Sequence, residues 1–499
     1  MLEHMISGIQ SGLNLGNMGA LTFGAFVGIV VGIVPGIGPM VGMVVLLPFT
    51  FALSPEKALS LLLGIFCGGY YGGAVPAVLM RTPGVPSSLV TSFDGFPLTQ
   101  RGEAQRGLSA ALIGSFVGGL ISVFILIFLA PILAHVAASF GPPEYFSAAL
   151  FGVVLVVMAY RERLSQGLLL LGLGLWFSTV GIDGPTLCPR FCFGTLSLQN
   201  GLHIVPVCLG LFGIGQTLIL VEKQILESKA MSLTRRTLDF SKLMETFRYW
   251  KTMIKSGVIG TFVGLLPGTG SILASFMSYE AAKRTSKHPE EFGKGTPEGC
   301  LASEGGNNAV PAGAMIPLLT LGIPGDALSA VLLGVFTING IYPGPLLLIK
   351  EPVLINTLYF SMLLINIVAF LMLAFWLRPF AMIVRVNSSI LAIVIMVISL
   401  VGIYAVNTRL FDAIVAIVMG VLGYILLRLK WPIVNLVMGV ILGEILEQRL
   451  RESLSLGDGS PVIFLTRPVS VGLIVATALI IAIPLIMDRR RRSRSTAGS

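Results

Sequence analysis

Apolar residues run through this chain in long blocks. The clearest cover residues 107–133, 144–160, 165–182, 201–221, 353–377, 388–405, 411–427 and 468–487, and each is near the roughly 20 residues a helix needs to cross a bilayer. Adding further apolar segments interrupted by Gly and Pro predicts about ten to twelve transmembrane helices, hence an all-α polytopic membrane protein. The interruptions follow a pattern. GIVPGIG at 32–38 places Gly32, Pro35, Gly36 and Gly38 where GLLPGTG at 264–270 places Gly264, Pro267, Gly268 and Gly270, an offset of 232. Downstream, AVPA at 74–77 recurs at 309–312, an offset of 235, and TPGVPSS at 82–88 is echoed by GIPGDALS at 322–329.

Three echoes in one order predict two internal repeats. Residues 1–221 form the first transmembrane repeat, 222–250 a cytoplasmic linker and 251–450 the second repeat; 451–488 supply an extramembrane loop and the last transmembrane helix, and 489–499 a basic cytoplasmic tail. Helix breaks in matching positions of two halves are the sequence pointer to a transporter's binding site near the bilayer midplane. Gly and Pro also serve simply as packing and kink residues in membrane helices, the plainer reading of any single break.

Charge adds sidedness. Of 33 Lys and Arg residues, 17 lie in three segments: eight in 223–255, four in 283–294 and five in 489–495. The positive-inside rule puts these segments in the cytoplasm, although Arg449, Arg451 and Arg467 would then face outward. Beside apolar spans, the basic clusters read as orientation signals and not as a nucleic-acid surface. Lys255 and Lys283 bracket an apolar segment of 27 residues centred on Pro267-Gly268, too short for two crossings. It predicts a re-entrant helical hairpin entering from the cytoplasm and turning at PGTG, with irregular backbone tolerated where protein or a wet cavity surrounds it. The first copy carries no charge between Glu3 and Glu56, consistent with entry from the opposite face and an inverted repeat, or with two ordinary spans. The N-terminus MLEHMISGIQ has no basic region ahead of its apolar run, so no cleaved signal peptide is expected.

Composition agrees with a membrane protein: 55% of residues are hydrophobic and 11% charged, with a net charge of +9, against roughly 25% charged in soluble domains. The five cysteines, at 67, 188, 192, 208 and 300, include only one close pair, CPRFC, and without companion ligands they read as packing residues. No Walker A, H-E-x-x-H or G-x-S-x-G sequence occurs and the four His are dispersed, so an enzyme is not expected and no organic cofactor is implied. Asp94 and Asp326 could in principle form an intramembrane aspartyl dyad, though no motif surrounds them.

Polar groups inside apolar segments are the candidates for chemistry because their burial is costly. SEGGNN at 303–308 offers Glu304, Asn307 and Asn308, with Pro324, Gly325 and Asp326 following. Carboxylate and amide oxygens there suit Na⁺, and glycine backbone at 305, 306, 322 and 325 suits an anion; alternatively SEGGNN is a water-exposed capping turn. The first-half counterpart holds Arg81, Pro83, Gly84, Ser87, Ser88, Thr91 and Asp94. Arg81 could clamp a carboxylate, pair with Asp94 or Asp326, or snorkel to the interface. The breaks add Gly36 and Gly38 in one half and Gly268, Thr269, Gly270 and Ser271 in the other.

GGYYGGAVPAVL through PGVPSSLVTSFDGFPLTQRGEA, SEGGNNAVPAGAMIPLLTLGIPGDALSAVLLG and INGIYPGP resemble the large membrane subunit of the tripartite tricarboxylate transporters, the TctA family. The likeness runs over most of the chain and is strongest in the first two blocks. It implies a multi-pass carboxylate carrier of the bacterial inner membrane, working in the bilayer with a small four-helix membrane subunit (TctB-like) and a periplasmic solute-binding protein (TctC-like). It further implies symport driven by Na⁺ or H⁺, a fold similar to elevator-type ion transporters, and no nucleic-acid partner. The family's breaks fall on Pro35, Gly36, Gly38, Pro267, Gly268 and Gly270, its asparagine pair on Asn307 and Asn308, and its turns on Pro83-Gly84 and Pro324-Gly325. The chain departs from the family pattern at Ala74, Pro76, Arg81, Asp326 and Gly305 or Gly306. Arg81 and Asp326, one extra charge of each sign on equivalent turns, are expected to compensate each other. An ion-coupled carrier or channel of another family and an intramembrane aspartyl hydrolase are the alternatives.

Overall fold

Helices α1 (Leu2–Leu13) and α2 (Leu15–Ile33) open the chain, and Asn14 sets the boundary between them by accepting the Gly16 N–H at 2.9 Å. A computed structural model describes residues 2–34, 37–222, 238–268, 270–383, 396–397, 401 and 409–496. Pro35, Gly36, Thr269, most of the predicted linker (223–237) and most of the apolar stretch 388–405 lie outside the described residues. The protein is an all-α polytopic membrane protein whose described strands are two residues each, Gly181–Ile182 paired antiparallel with Pro189–Arg190. Six described helices are long and apolar enough to cross a bilayer, fewer than the ten to twelve expected. Several others are shortened by the breaks, or carry polar residues that lower their apolarity.

The chain forms two compact units, each drawing on both halves of the sequence. In the first, α3 (Gly38–Leu46) follows α2 across the first break, and α4 (Pro55–Met80) packs along α2. Then come α5 (Ser92–Gln100) and α6 (Ala104–Ala137). Later in the chain, α7 (Trp250–Leu265) and α8 (Gly270–Thr285) both pack on α9 (Pro297–Leu321), which α10 (Ala327–Ile338) follows. A long helix, α11 (Pro352–Ile383), kinked at Trp376, packs on α1, α2 and α4. The apolar windows of α4 and nearly all of α9 are buried in protein. These two helices are the centre of the unit.

Both central helices begin with Pro at the first turn, where its missing N–H costs nothing. Both end in a left-handed residue, Arg81 (φ 58°) and Gly322 (φ 72°), two residues ahead of a Pro-Gly step. Proline disfavours helical geometry in the residue before it, so the chain must leave the helix there.

The second unit packs Pro142–Ala159 and Leu164–Ser178 against Ile433–Leu456, with Pro468–Thr496 alongside the first. Residues 266–268 belong with it: Gly268, at φ 78°, lies against Val156. An ionic cluster ties its strand pair to a helix end. Arg190 and Arg451 each bind Asp183 and Glu447, the closest contacts being 2.6 Å.

Candidate functional site

The two halves share one set of backbone contacts. Gly28 approaches the Ile65 carbonyl as Gly260 approaches that of Gly306; Gly32 meets Gly69 as Gly264 meets Val310; Gly72 meets Ile29 as Gly313 meets Thr261. On the turns, Gly84 rests on the Gly32 carbonyl and Gly325 on that of Gly264. Every pair relates α2 to α7 by an offset of 232 and α4 to α9 by 241. At such distances a Cβ could not be accommodated without movement, so glycine is needed for helix backbones to touch. The turn after each central helix is thereby seated on the end of the helix that runs into each break.

This register corrects the AVPA match. Pro76 stands five residues before the left-handed Arg81, and its counterpart is Pro317, five before Gly322, not Pro311. GIPGD (322–326) still aligns with the first Pro-Gly turn, as RTPGV (81–85), which places Asp326 opposite Val85 and Ser329 opposite Ser88.

The second break is a helical hairpin. Lys255 Nζ donates to Thr285 Oγ1 at 2.6 Å, and Glu298 accepts from Thr252 at 2.6 Å and Ser286 at 2.7 Å, so the two feet meet. Gly270 (φ 67°) starts its return helix as Gly38 (φ 69°) starts α3. The hydroxyl of Tyr70, on α4, approaches the Ser271 side chain, and α10 packs on both α3 and α4. Elements flanking both breaks therefore converge on the middle of α4.

SEGGNN is neither a loop nor a capping turn. It lies inside α9, buried throughout, and Gly305 and Gly306 give their surfaces to helix packing, against Ser256 and Ala274 respectively, so they expose no backbone to a ligand. Its side chains make a cluster bridging the halves. The Glu304 carboxylate accepts from Thr91 Oγ1 (2.5 Å), Asn307 Nδ2 (3.0 Å) and Asn308 Nδ2 (3.2 Å). Asn308 also donates to Ser115 at 2.8 Å, and Ser303 Oγ is 2.9 Å from Thr91 Oγ1. The Ser88 hydroxyl approaches the carboxylate without good hydrogen-bond geometry. The oxygens of Ser87, Ser88, Asn307 and Asn308 are buried without partners among the described residues.

Other expected site residues have structural tasks. Asp94 Oδ1 accepts the N–H groups of Gly293, Gly295 and Thr296 at 2.8–3.0 Å, and Oδ2 accepts Tyr279 Oη at 2.9 Å, clamping the 293–296 loop. Burial raises its pKa, with these four bonds acting in the opposite direction. Asp326 caps α10 in a reciprocal box with Ser329, each bond 2.8 Å. Arg81 is exposed and makes no ion pair or hydrogen bond among the described residues, so the expected compensation by Asp326 is absent. The two aspartates are each committed to backbone groups, which removes the dyad. Pro83 is half-buried and Pro324 buried, each shaping its turn. Tyr70 and Ser115 join the site without a signal in the sequence: a tyrosine or serine in an apolar helix reads as packing until its partner is seen.

Residues 18–438 match the family described as the tripartite tricarboxylate transporter TctA family. Two relatives come from Agrobacterium vitis. One, an uncharacterized 52.8 kDa protein in the TAR-I ttuC' 3' region, is 34% identical over 498 residues, 98% of each chain. The other, an uncharacterized protein in the TAR-II ttuC' 3' region, is 35% identical over 238 residues, 46% of this chain and 97% of its own. No solved structure matches the chain.

Proposed function

The chain belongs to the tripartite tricarboxylate transporter TctA family, and from that premise we propose that it is the large membrane subunit of a three-part importer of small carboxylates. In this reading it sits in the bacterial inner membrane with a small four-helix subunit, receives substrate from a periplasmic solute-binding protein, and moves it by Na⁺- or H⁺-coupled alternating access.

The observation that carries the reading is the duplicated break-and-turn. Two helices stop in mid-segment, each is met by the Pro-Gly turn that follows a central helix, and both assemblies converge on α4. Broken helices bring uncompensated backbone dipoles to depths where side-chain charges are costly, and paired breaks in two repeats are how secondary transporters build a substrate site. The hairpin Trp250–Thr285 would move with that site, as in elevator-type carriers. A hydrolase has no support, since Asp94 and Asp326 are occupied separately as a loop clamp and a helix cap.

The test is carboxylate uptake into proteoliposomes holding all three components, with Na⁺ and pH gradients imposed one at a time. Accumulation that follows one gradient supports the proposal; uptake indifferent to both would sink ion-coupled transport.

A further inference from the structure

The two halves share a backbone but not a chemistry, and the difference isolates one spot. At the offset that superposes α4 on α9, Glu304, Asn307 and Asn308 stand opposite Leu63, Phe66 and Cys67. On the turns the asymmetry runs the other way. Asp326 and Ser329 close the second turn on itself, whereas Val85 stands where that aspartate would be and leaves Ser88 without a capping partner. The open turn of the first half lies against the polar face of the second half's helix: Thr91 bonds Glu304, and Ser88 approaches it.

We propose that this spot is a single Na⁺ site, with Glu304 as the charged ligand and Asn307, Asn308, Ser87 and Ser88 supplying neutral oxygens. It deepens the ion-coupled reading above by fixing which half holds the ion and how many are held. Two independent features of the spot call for a cation. The first is charge: Glu304 is fully buried and, among the described residues, has no Lys, Arg or His partner, and an uncompensated buried carboxylate is strongly unfavourable. A proton or a metal cation would settle that count equally.

The second count is orphan oxygens. Buried polar atoms without partners are rare in native proteins, yet the side chains that bind or approach Glu304 carry three, Asn307 Oδ1, Asn308 Oδ1 and Ser88 Oγ, and the adjoining Ser87 carries a fourth. A proton would satisfy one carboxylate oxygen and leave these four as they are. A hard cation takes carboxylate, amide and hydroxyl oxygens as ligands, so it can draw on groups that a proton leaves unsatisfied. No group of three His, Cys, Asp or Glu side chains is placed to hold a metal ion together among the described residues, and one carboxylate among neutral oxygens matches a monovalent charge. The pseudo-symmetric position offers Leu63, Phe66 and Cys67, so it holds no second ion.

The experiment uses the purified full chain in nanodiscs, without substrate or partners, so its failure is separable from a failure of transport. NaCl is titrated against choline chloride at constant ionic strength while thermal unfolding is followed, and bound ²²Na⁺ is counted. Saturable stabilisation by Na⁺ and not choline, with about one ion per chain, is the expected result. Ser88→Ala and Asn307→Ala should weaken apparent Na⁺ affinity about tenfold or more, and Glu304→Gln should abolish binding. Asp326→Asn should bind Na⁺ as the unmodified chain does. Two ions per chain, a Na⁺ response retained in Glu304→Gln, or stabilisation by lowered pH with no Na⁺ response would overturn the proposal. Ser88→Ala, which removes one atom, keeps the test open if Glu304→Gln does not fold.

Discussion

Thr91 Oγ1 donates to Glu304 Oε1 at 2.5 Å across 213 residues of sequence, joining the turn region of the first half to the central helix of the second. Both partners are fully buried. Thr91→Val keeps shape and volume and removes only the donor. A hydrogen bond to a charged group is worth about 1.5–3 kcal/mol, so the variant should lose stability of that order in thermal unfolding. Thr91→Ser restores the hydroxyl and should recover most of the loss. Equal damage by Val and Ser would mean that the methyl group, not the donor, holds this position.

Gly84 and Gly325 are equivalent seats of the two turns. A Cβ at Gly325 would stand 2.8 Å from the Gly264 carbonyl oxygen, and one at Gly84 would come still closer to that of Gly32. Overpacking of this kind costs about 1–3 kcal/mol. Gly325→Ala and Gly84→Ala should both destabilise, Gly84→Ala the more, and both should depress uptake because each turn rests on the helix that runs into a break. A Gly84→Ala chain as stable as the unmodified one would show that the turn is free to lift.

The breaks are visible in the sequence because Pro and Gly are the two residues least suited to a continuous helix, so a Pro-Gly step stands out inside an apolar block. The register of the repeat is not visible in the same way, because AVPA is a string match, while the backbone contacts of Gly28, Gly32, Gly72 and Gly84 with their counterparts set the alignment. SEGGNN misleads for a different reason. Two adjacent glycines suggest exposed backbone, but on α9 they are the contact surface for two neighbouring helices, and the polar cluster is made by the side chains beside them. The hydrogen bond of Glu304 with Thr91 and the approach of Tyr70 to Ser271 each span more than 200 residues. No local spacing rule reaches that far.

Arg81 holds a left-handed conformation, φ 58° and ψ 16°, at the end of α4. That geometry costs a non-glycine residue about 1–2 kcal/mol, and no ion pair among the described residues offsets it. Arg81→Gly should therefore stabilise the chain by about 1 kcal/mol, and Arg81→Val should destabilise it. In a double-mutant cycle with Asp326→Ser, residues that do not touch should couple by less than about 0.5 kcal/mol. The measurement is unfolding by denaturing detergent in mixed micelles. A larger coupling would show that the two side chains meet in a second conformation of the carrier.

Asp183 should make the strand pair Gly181–Ile182 and Pro189–Arg190 dependent on pH. The Thr186 hydroxyl first, and the Arg451 guanidinium next, hold its carboxyl below the ordinary 3.8, with Arg190 adding to the effect. Because the folded value is depressed, the ionised form is the one the fold prefers. The stabilisation is complete above the ordinary value and disappears as pH falls below it toward the depressed one. Trp176, packed edge-on to Phe191 with ring centroids 5.7 Å apart, reports on this loop. In a chain whose other three tryptophans are replaced by Phe, Trp176 emission should be constant at neutral pH and should shift as pH falls below about 4. Asp183→Asn should show the shifted emission at every pH. An emission change centred near pH 6.5, the ordinary range of histidine, would assign the transition to another group and overturn the role given to Asp183.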